Sequence, residues 1–170
     1  GGGKSADVTN SNVYIKDGET TNVYGGGNQA GSQSTYIEIT GGTTTAVYGG
    51  SNQSGTVNTT TINANGGIAG DIFGGNNQGG TCPETHVTIN GSSVTDAVYG
   101  GGNQAGGDKT NVKVVGGTIT DIFGGSNQTG DISTSNVVVG GDSIGFDYSF
   151  TNYSGQYQGT SKAYIYTVDV

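Results

Sequence analysis

The sequence predicts an all-β chain that forms a single-stranded, right-handed parallel β-helix (β-solenoid) of about seven coils, each 24–26 residues long. A ten-residue phrase recurs five times, as NVYGGGNQAG, AVYGGSNQSG, DIFGGNNQGG, AVYGGGNQAG and DIFGGSNQTG. Its aromatic residue recurs at intervals of 24, 25, 26 and 24 residues, a period typical of stacked structural repeats. The chain also has 12 Ile and 16 Val but no Leu, and β-branched side chains favour strands.

Each period begins with a run in which apolar and polar residues alternate, as they do in a half-buried strand. The apolar positions are predicted to face the interior: Val13, Ile15, Ile37, Ile39, Ile62, Ala64, Val87, Ile89, Val112 and Val114. A hydroxyl residue of the same parity is expected at a corner, bonded to backbone: Ser11, Thr35, Thr60, Thr85, Thr110 and Thr134. The alternate positions are expected to face solvent: Tyr36, Glu38, Thr61, His86, Lys113 and Val137.

Glycines that can adopt positive φ follow these runs and predict corners: Gly18, Gly41, Gly66, Gly91, Gly116 and Gly140. A second run then ends in a β-branched residue that is expected to face inward: Val23, Val47, Ile72, Val98 and Ile122. An aromatic ladder follows at once: Tyr24, Tyr48, Phe73, Tyr99 and Phe123. Strict alternation would turn these rings outward, where they could stack on sugars, whereas Phe at two rungs favours a self-covered stack.

A third segment predicts a column of asparagines: Asn28, Asn52, Asn77, Asn103 and Asn127. Each amide can both donate to and accept from the amide one coil away, which satisfies polar groups at a turn. We therefore expect a structural ladder at these positions rather than a binding site.

The chain is predicted to form one domain, residues 1–170. Residues 1–23 form an N-terminal coil that lacks a cap, so we expect the natural chain to continue upstream or the rod to dock there. Residues 24–145 form the regular coils. Residues 146–170, in which aromatic residues replace glycines, are expected to form a C-terminal coil or cap.

The repeat over residues 22–130 resembles the glycine-rich VYGGGN and FGGGN repeats of large bacterial surface proteins. The resemblance implies a stalk or adhesin module and carries no catalytic residues with it.

Composition excludes several classes of partner. Five Lys, no Arg and 13 acidic residues give a net charge of −8, which argues against nucleic acid and anionic membrane surfaces. No apolar run approaches the roughly 18 residues of a membrane span. We expect an extracellular or cell-surface protein, of bacterial origin, whose partners are further copies of itself or a glycan or protein of the cell surface.

Candidate sites in the sequence are sparse, and we expect no catalytic residue, no metal and no cofactor. Asp71 and Asp121 are predicted to lie two rungs apart, with Ala46 and Ala97 alternating with them to limit repulsion. His86 is expected on the surface, and the mixed outward positions of the first run do not form the regular Thr array that ice binding requires. Cys82 excludes an intramolecular disulfide and leaves a free thiol or an intermolecular bridge open.

These observations predict a non-enzymatic extracellular module that is structural or adhesive. The alternatives are a subunit of a self-assembling fibre, with 161–170 as the donated strand, and a glycan-binding module that uses the aromatic ladder. A polysaccharide lyase or hydrolase and an ice-binding protein are less favoured.

Overall fold

A computed structural model of the chain describes residues 1–140 and two short strands beyond them. The strands are β1 (Asn10–Ile15), β2 (Glu19–Tyr24), β3 (Ser32–Ile39), β4 (Thr43–Tyr48), β5 (Val57–Ala64), β6 (Ile68–Phe73), β7 (Glu84–Tyr99), β8 (Gly107–Phe123), β9 (Ile132–Val139), β10 (Tyr148–Ser149) and β11 (Lys162–Ala163). The first nine form one sheet, and β10 pairs with β11 antiparallel in a sheet of its own. The rest of the predicted C-terminal coil or cap lies outside the described residues.

The nine-stranded sheet has two walls. The first wall stacks β1, β3 and β5 on the first half of β7, and the second wall stacks β2, β4 and β6 on its second half. β8 continues both walls, and β9 continues the first. All these pairs are parallel, so the described chain is a parallel β-solenoid of about five turns.

The register of the coils follows the repeat. Val13 pairs with Ile37, Ile37 with Ile62 and Ile62 with Val87, so equivalent letters of successive periods lie above one another. The pairing reaches the first residues as well, because Asn28 N donates to Gly3 O and Gln29 N donates to Lys4 O. Residues 1–9 therefore lie alongside residues 25–33, one period of 24 residues later.

The core is a thin layer of β-branched side chains between the two walls. Ile37, Ile62 and Ile89 of the first wall face Val47 and Ile72 of the second, and none of these side chains is exposed by more than 1%. Burial of each such side chain stabilises the fold by roughly 1.5–3 kcal/mol. The predicted inward parity of the first run is confirmed in these coils.

The corner hydroxyls behave as predicted in five coils. Each donates to the carbonyl oxygen of the glycine that follows the aromatic residue: Ser11 to Gly25, Thr35 to Gly49, Thr60 to Gly74, Thr85 to Gly100 and Thr110 to Gly124, at 2.5–2.7 Å. Three turns place positive φ one residue later than predicted, at Gly42, Gly67 and Gly117.

Two predictions for the last coil were wrong by one position. Ser135, not Thr134, pairs with Thr110, and Val137 pairs with Val112 in the inward column. The prediction aligned Thr134 with Thr110 because both are threonine. The register of β9 on β8 instead places Val137 and Val139 beside Val112 and Val114, so that the apolar side chains share one column. Val137 nevertheless has 41% of its surface exposed.

Candidate functional site

The aromatic ladder is a continuous stack of rings. Centroids of successive rings lie 4.9, 4.7, 4.9 and 5.1 Å apart from Tyr24 to Phe123, and neighbouring planes differ by at most 13°. Tyr48 and Phe73 are 8% and 2% exposed and pack with Ala46 outside the main core. Each inner ring therefore has both faces covered by other rings, which leaves only ring edges for a ligand.

This stack contributes to stability. Offset aromatic pairs are worth about 0.5–1.5 kcal/mol each beyond the area that they bury. Burial raises the pKa of the Tyr48 phenol, and the nearby Tyr24 and Asp71 raise it further. Burial also raises the pKa of Tyr99, with Asp71, Asp121 and Asp96 adding to the effect. The folded stack therefore holds the phenol protons of Tyr48 and Tyr99 more tightly than the unfolded chain does.

The predicted asparagine ladder is present in full. The Nδ2 of each asparagine donates to the Oδ1 of the asparagine one coil earlier: Asn52 to Asn28 at 2.8 Å, Asn77 to Asn52 at 2.9 Å, Asn103 to Asn77 at 3.0 Å and Asn127 to Asn103 at 3.0 Å. All four bonds run in the same direction. Because the amides satisfy one another, this column serves the structure and offers little to a ligand.

A second buried amide, Asn76, was not identified from the sequence. Its side chain is 0% exposed and fills the corner beside the ladder, where its Oδ1 accepts from Ser51 N at 2.7 Å. Its Nδ2 donates to Gly55 O at 3.0 Å and Gly79 O at 3.1 Å. The available signal was the Asn-Asn doublet in a phrase that otherwise has Gly or Ser at that position.

Three acidic residues, Asp71, Asp96 and Asp121, lie on the second wall, half-buried or exposed. Ala46 pairs with Asp71, and Ala97 pairs with Asp121, so the predicted alternation is confirmed. A bulge between Val94 and Ala97 adds a carboxylate that the sequence did not predict at this position, Asp96. Burial raises the pKa of the Asp71 carboxyl. The hydrogen bond that Ala97 N donates to Asp71 Oδ1, at 3.2 Å, opposes this shift, whereas the negative charge of Asp96 adds to it.

These carboxylates do not form a metal centre. Across the residues that the structure describes, no group of three or more His, Cys, Asp or Glu side chains could hold a metal ion. His86 lies on the first wall, away from these carboxylates of the second wall, and its Nε2 is 3.4 Å from Glu84 Oε1. Glu84 Oε1 also lies 3.5 Å from Lys109 Nζ.

Cys82 is a free thiol enclosed at a corner. It is 2% exposed, and burial raises its pKa to about 12. Its Sγ lies 3.8 Å from Thr60 Oγ1 and 3.8 Å from Glu84 O. Since disulfide exchange requires an accessible thiolate, the folded chain does not present this residue for an intermolecular bridge.

Comparison with protein-family models, with curated proteins and with solved structures gives no match to this chain. In the described part of the chain, no helix has the length and apolar character needed to cross a membrane.

Proposed function

We infer that the chain is a non-enzymatic extracellular module of structural or adhesive function, which acts as a stiff spacer. The observation that supports this is the unbroken parallel pairing from β1 to β9, with an asparagine ladder, a ring stack and an apolar core along the same axis. Backbone hydrogen bonds join each strand of the two walls to the equivalent strand of the next coil, so these bonds lie along the axis on which load would act.

The sequence supports a specific number of coils, a hand and a cellular location for this module. Seven right-handed coils of 24–26 residues would make a rod roughly 30 Å long, at about 4.8 Å per coil. The resemblance to VYGGGN and FGGGN repeats supports a location on a bacterial surface as part of a stalk or adhesin. Two features of the described residues support a structural role: the Cys82 thiol is enclosed with a raised pKa, and the inner faces of the ring stack are covered by other rings.

Single-molecule force spectroscopy tests the spacer role. The chain is tethered by its two ends and stretched, and we expect one or more abrupt rupture events well above the entropic extension of an unfolded chain. The Asn77→Ala variant should rupture at lower force. Smooth extension without rupture would show that the module does not bear load.

A subunit of a self-assembling fibre is the second candidate. β1 and β2 lie at one end of the nine-stranded sheet, and each pairs with one described strand only, β3 and β4 respectively. Their outer edges carry backbone groups that another strand could pair with. Residues 161–170, proposed as the donated strand, lie outside the described residues except for Lys162–Ala163 in β11.

Electron microscopy at high protein concentration distinguishes this candidate from the spacer. The fibre predicts filaments for the whole chain and their loss when residues 161–170 are deleted. Isolated short rods in both samples would contradict the fibre and leave the spacer role intact.

A further inference from the structure

The outer face of the first wall carries a pair of tyrosines, Tyr14 and Tyr36, that do not belong to the aromatic ladder. This face consists of the side chains that point outward from β1, β3 and β5: Asn12, Tyr14, Tyr36, Glu38, Thr61 and Asn63. Tyr14 has 55% of its surface exposed, the largest exposed fraction among the exposed large hydrophobic side chains of the described residues. The face lies opposite the core and is separate from the aromatic ladder of the second wall.

The geometry of this pair differs from that of the ladder. The ring centroids of Tyr14 and Tyr36 lie 6.1 Å apart and their planes are inclined by 57°. In the ladder the rings are nearly parallel and within 5.1 Å, so they cover one another. Tyr14 is exposed and Tyr36 is half-buried, so the inclined pair leaves part of its ring surface open to solvent, as a ligand with an apolar face requires.

Polar groups surround the open rings and are held in place. Asn63 Nδ2 donates to the Tyr36 hydroxyl oxygen at 3.2 Å. Asn65 Nδ2 approaches Glu38 Oε1 at 3.5 Å, and Glu38 pairs in register with both Tyr14 and Asn63. Rungs recur about every 4.8 Å and alternate residues along a strand about every 7 Å. The face therefore offers rings, amides and a carboxylate at intervals comparable to the size of one sugar ring.

Charge narrows the class of ligand. The chain carries 13 acidic residues against 5 Lys, and Glu38 lies at the centre of this face. A polyanionic glycan would be repelled, whereas a neutral one would not. The face also lacks the contiguous apolar area that the core of a protein interface has, because the residues beside the two rings are polar.

We propose that Tyr14 and Tyr36, with Glu38 and Asn63, bind a neutral oligosaccharide. The rings take the apolar faces of the sugar units, and the amide and carboxylate take their hydroxyl groups. This inference goes beyond the spacer role and does not depend on it, since a rod could hold this face away from a surface or carry no ligand at all.

Calorimetric titration of the whole chain with cellohexaose, xylohexaose and mannohexaose tests the proposal, with polygalacturonate as the polyanionic comparison. We expect at least one neutral probe to bind. Tyr14→Ala and Tyr36→Ala should each weaken its binding by about tenfold, which corresponds to about 1.4 kcal/mol and lies at the upper end of what a ring contact is worth. Tyr14→Phe, which keeps the ring, should bind within about twofold of the original chain.

Ile68→Ala is the matched control, since Ile68 is also a large exposed side chain, 45% exposed, but lies on the second wall. It should leave binding unchanged. Failure of all three neutral probes to bind, or binding to polygalacturonate alone, would overturn the proposal. Binding that is equal in Tyr14→Ala, Tyr36→Ala and the original chain would also overturn it. Circular dichroism of each variant establishes that the variant is folded.

Discussion

Asn77 illustrates how single residues stabilise this solenoid. It donates to Asn52, accepts from Asn103 and also places its Nδ2 3.4 Å from the Tyr24 hydroxyl oxygen. Its side chain is 9% exposed, so water cannot easily replace these partners. The sequence predicted this column because a side-chain amide has both a donor and an acceptor. Asn76 was missed because its partners, Gly55 and Gly79, are brought to it only by the fold of the corner.

Replacement of Asn77 by Ala should lower the free energy of unfolding by about 2–3 kcal/mol. The change removes two ladder bonds and leaves Asn52 Oδ1 and Asn103 Nδ2 without their partner at a partly buried position. Urea denaturation followed by circular dichroism measures the effect. Gln78→Ala is the control, because Gln78 is the exposed neighbour and its loss should cost under about 0.5 kcal/mol. Equal costs for both variants would contradict a structural role for the ladder.

Asp71→Asn should raise the melting temperature at pH 7. The pKa of Asp71 is raised above its ordinary value of 3.8, so the folded state holds the proton more tightly than the unfolded state. That contribution to stability is complete below the unfolded pKa and is lost as pH rises through the folded pKa. An uncharged Asn at position 71 does not suffer this loss of stability at neutral pH. The increase in melting temperature over the original chain should therefore shrink towards pH 4, where Asp71 itself becomes protonated.

Asp131→Asn makes the same change of net charge at an exposed position and serves as the control. The difference in melting temperature between the two variants, measured from pH 4 to pH 7, isolates the local effect. A constant difference across this range would refute the argument from Asp71.

Glycine columns determine how closely the elements approach. A Cβ on Gly74 would collide with the carbonyl oxygen of Gly100, and Gly49 meets the same obstacle at Gly74. These glycines follow the aromatic residue and have no positive φ, so close approach of the coils, rather than turn conformation, requires them. The carbonyl of Gly74 also accepts the corner hydroxyl of Thr60.

We expect Gly74→Ala to destabilise the chain by more than about 3 kcal/mol, because the walls would have to separate to admit the methyl group. Gly116→Ala is the matched control. A Cβ there would lie 3.9 Å from its nearest neighbour, Asn90 Oδ1, in ordinary contact. Its effect should stay within about 1 kcal/mol. Thermal and urea denaturation of both variants test the prediction, and a mild effect at Gly74 would contradict it.

The sequence predicts which side chains face the core more reliably in the strands of the first wall than in those of the second. Alternation from Thr35 to Ile39 identifies the inward side of β3 without ambiguity. In β4, Thr44 and Val47 are both buried although they are three residues apart, so strict alternation fails between them. The bulge beside Asp96 adds a residue to β7 in the same region. Such bulges depend on pairing with the next coil, which a single period of sequence does not encode.

The whole molecule behaves as a stack in which stability depends on having a neighbour on both sides. β3, β5 and the first half of β7 bury their inward residues almost completely, whereas all eight residues of β9 are exposed or half-buried. β2 is similarly open, with four of its six residues exposed. Stability in such a repeat protein is a sum of intrinsic and nearest-neighbour terms, so the outer described coils should open first.

Amide hydrogen exchange monitored by mass spectrometry should show this gradient. Peptides from β5 and β6 should exchange slowest, and those from β1, β2 and β9 should exchange faster by at least about tenfold, which corresponds to roughly 1.4 kcal/mol in opening free energy. Uniform exchange from β1 to β9 would mean that the rod opens only as a single unit.

The common direction of the four asparagine bonds gives the rod a polarity. Head-to-tail amide dipoles add along the column, with the positive end towards Asn28 and the negative end towards Asn127, as peptide dipoles add along a helix. Reversing one amide would set donor against donor on one side and acceptor against acceptor on the other, so the column keeps its orientation as a unit. Uncharged side chains thereby make the two ends of the particle electrically distinguishable, and two such particles joined along this column would have to point the same way.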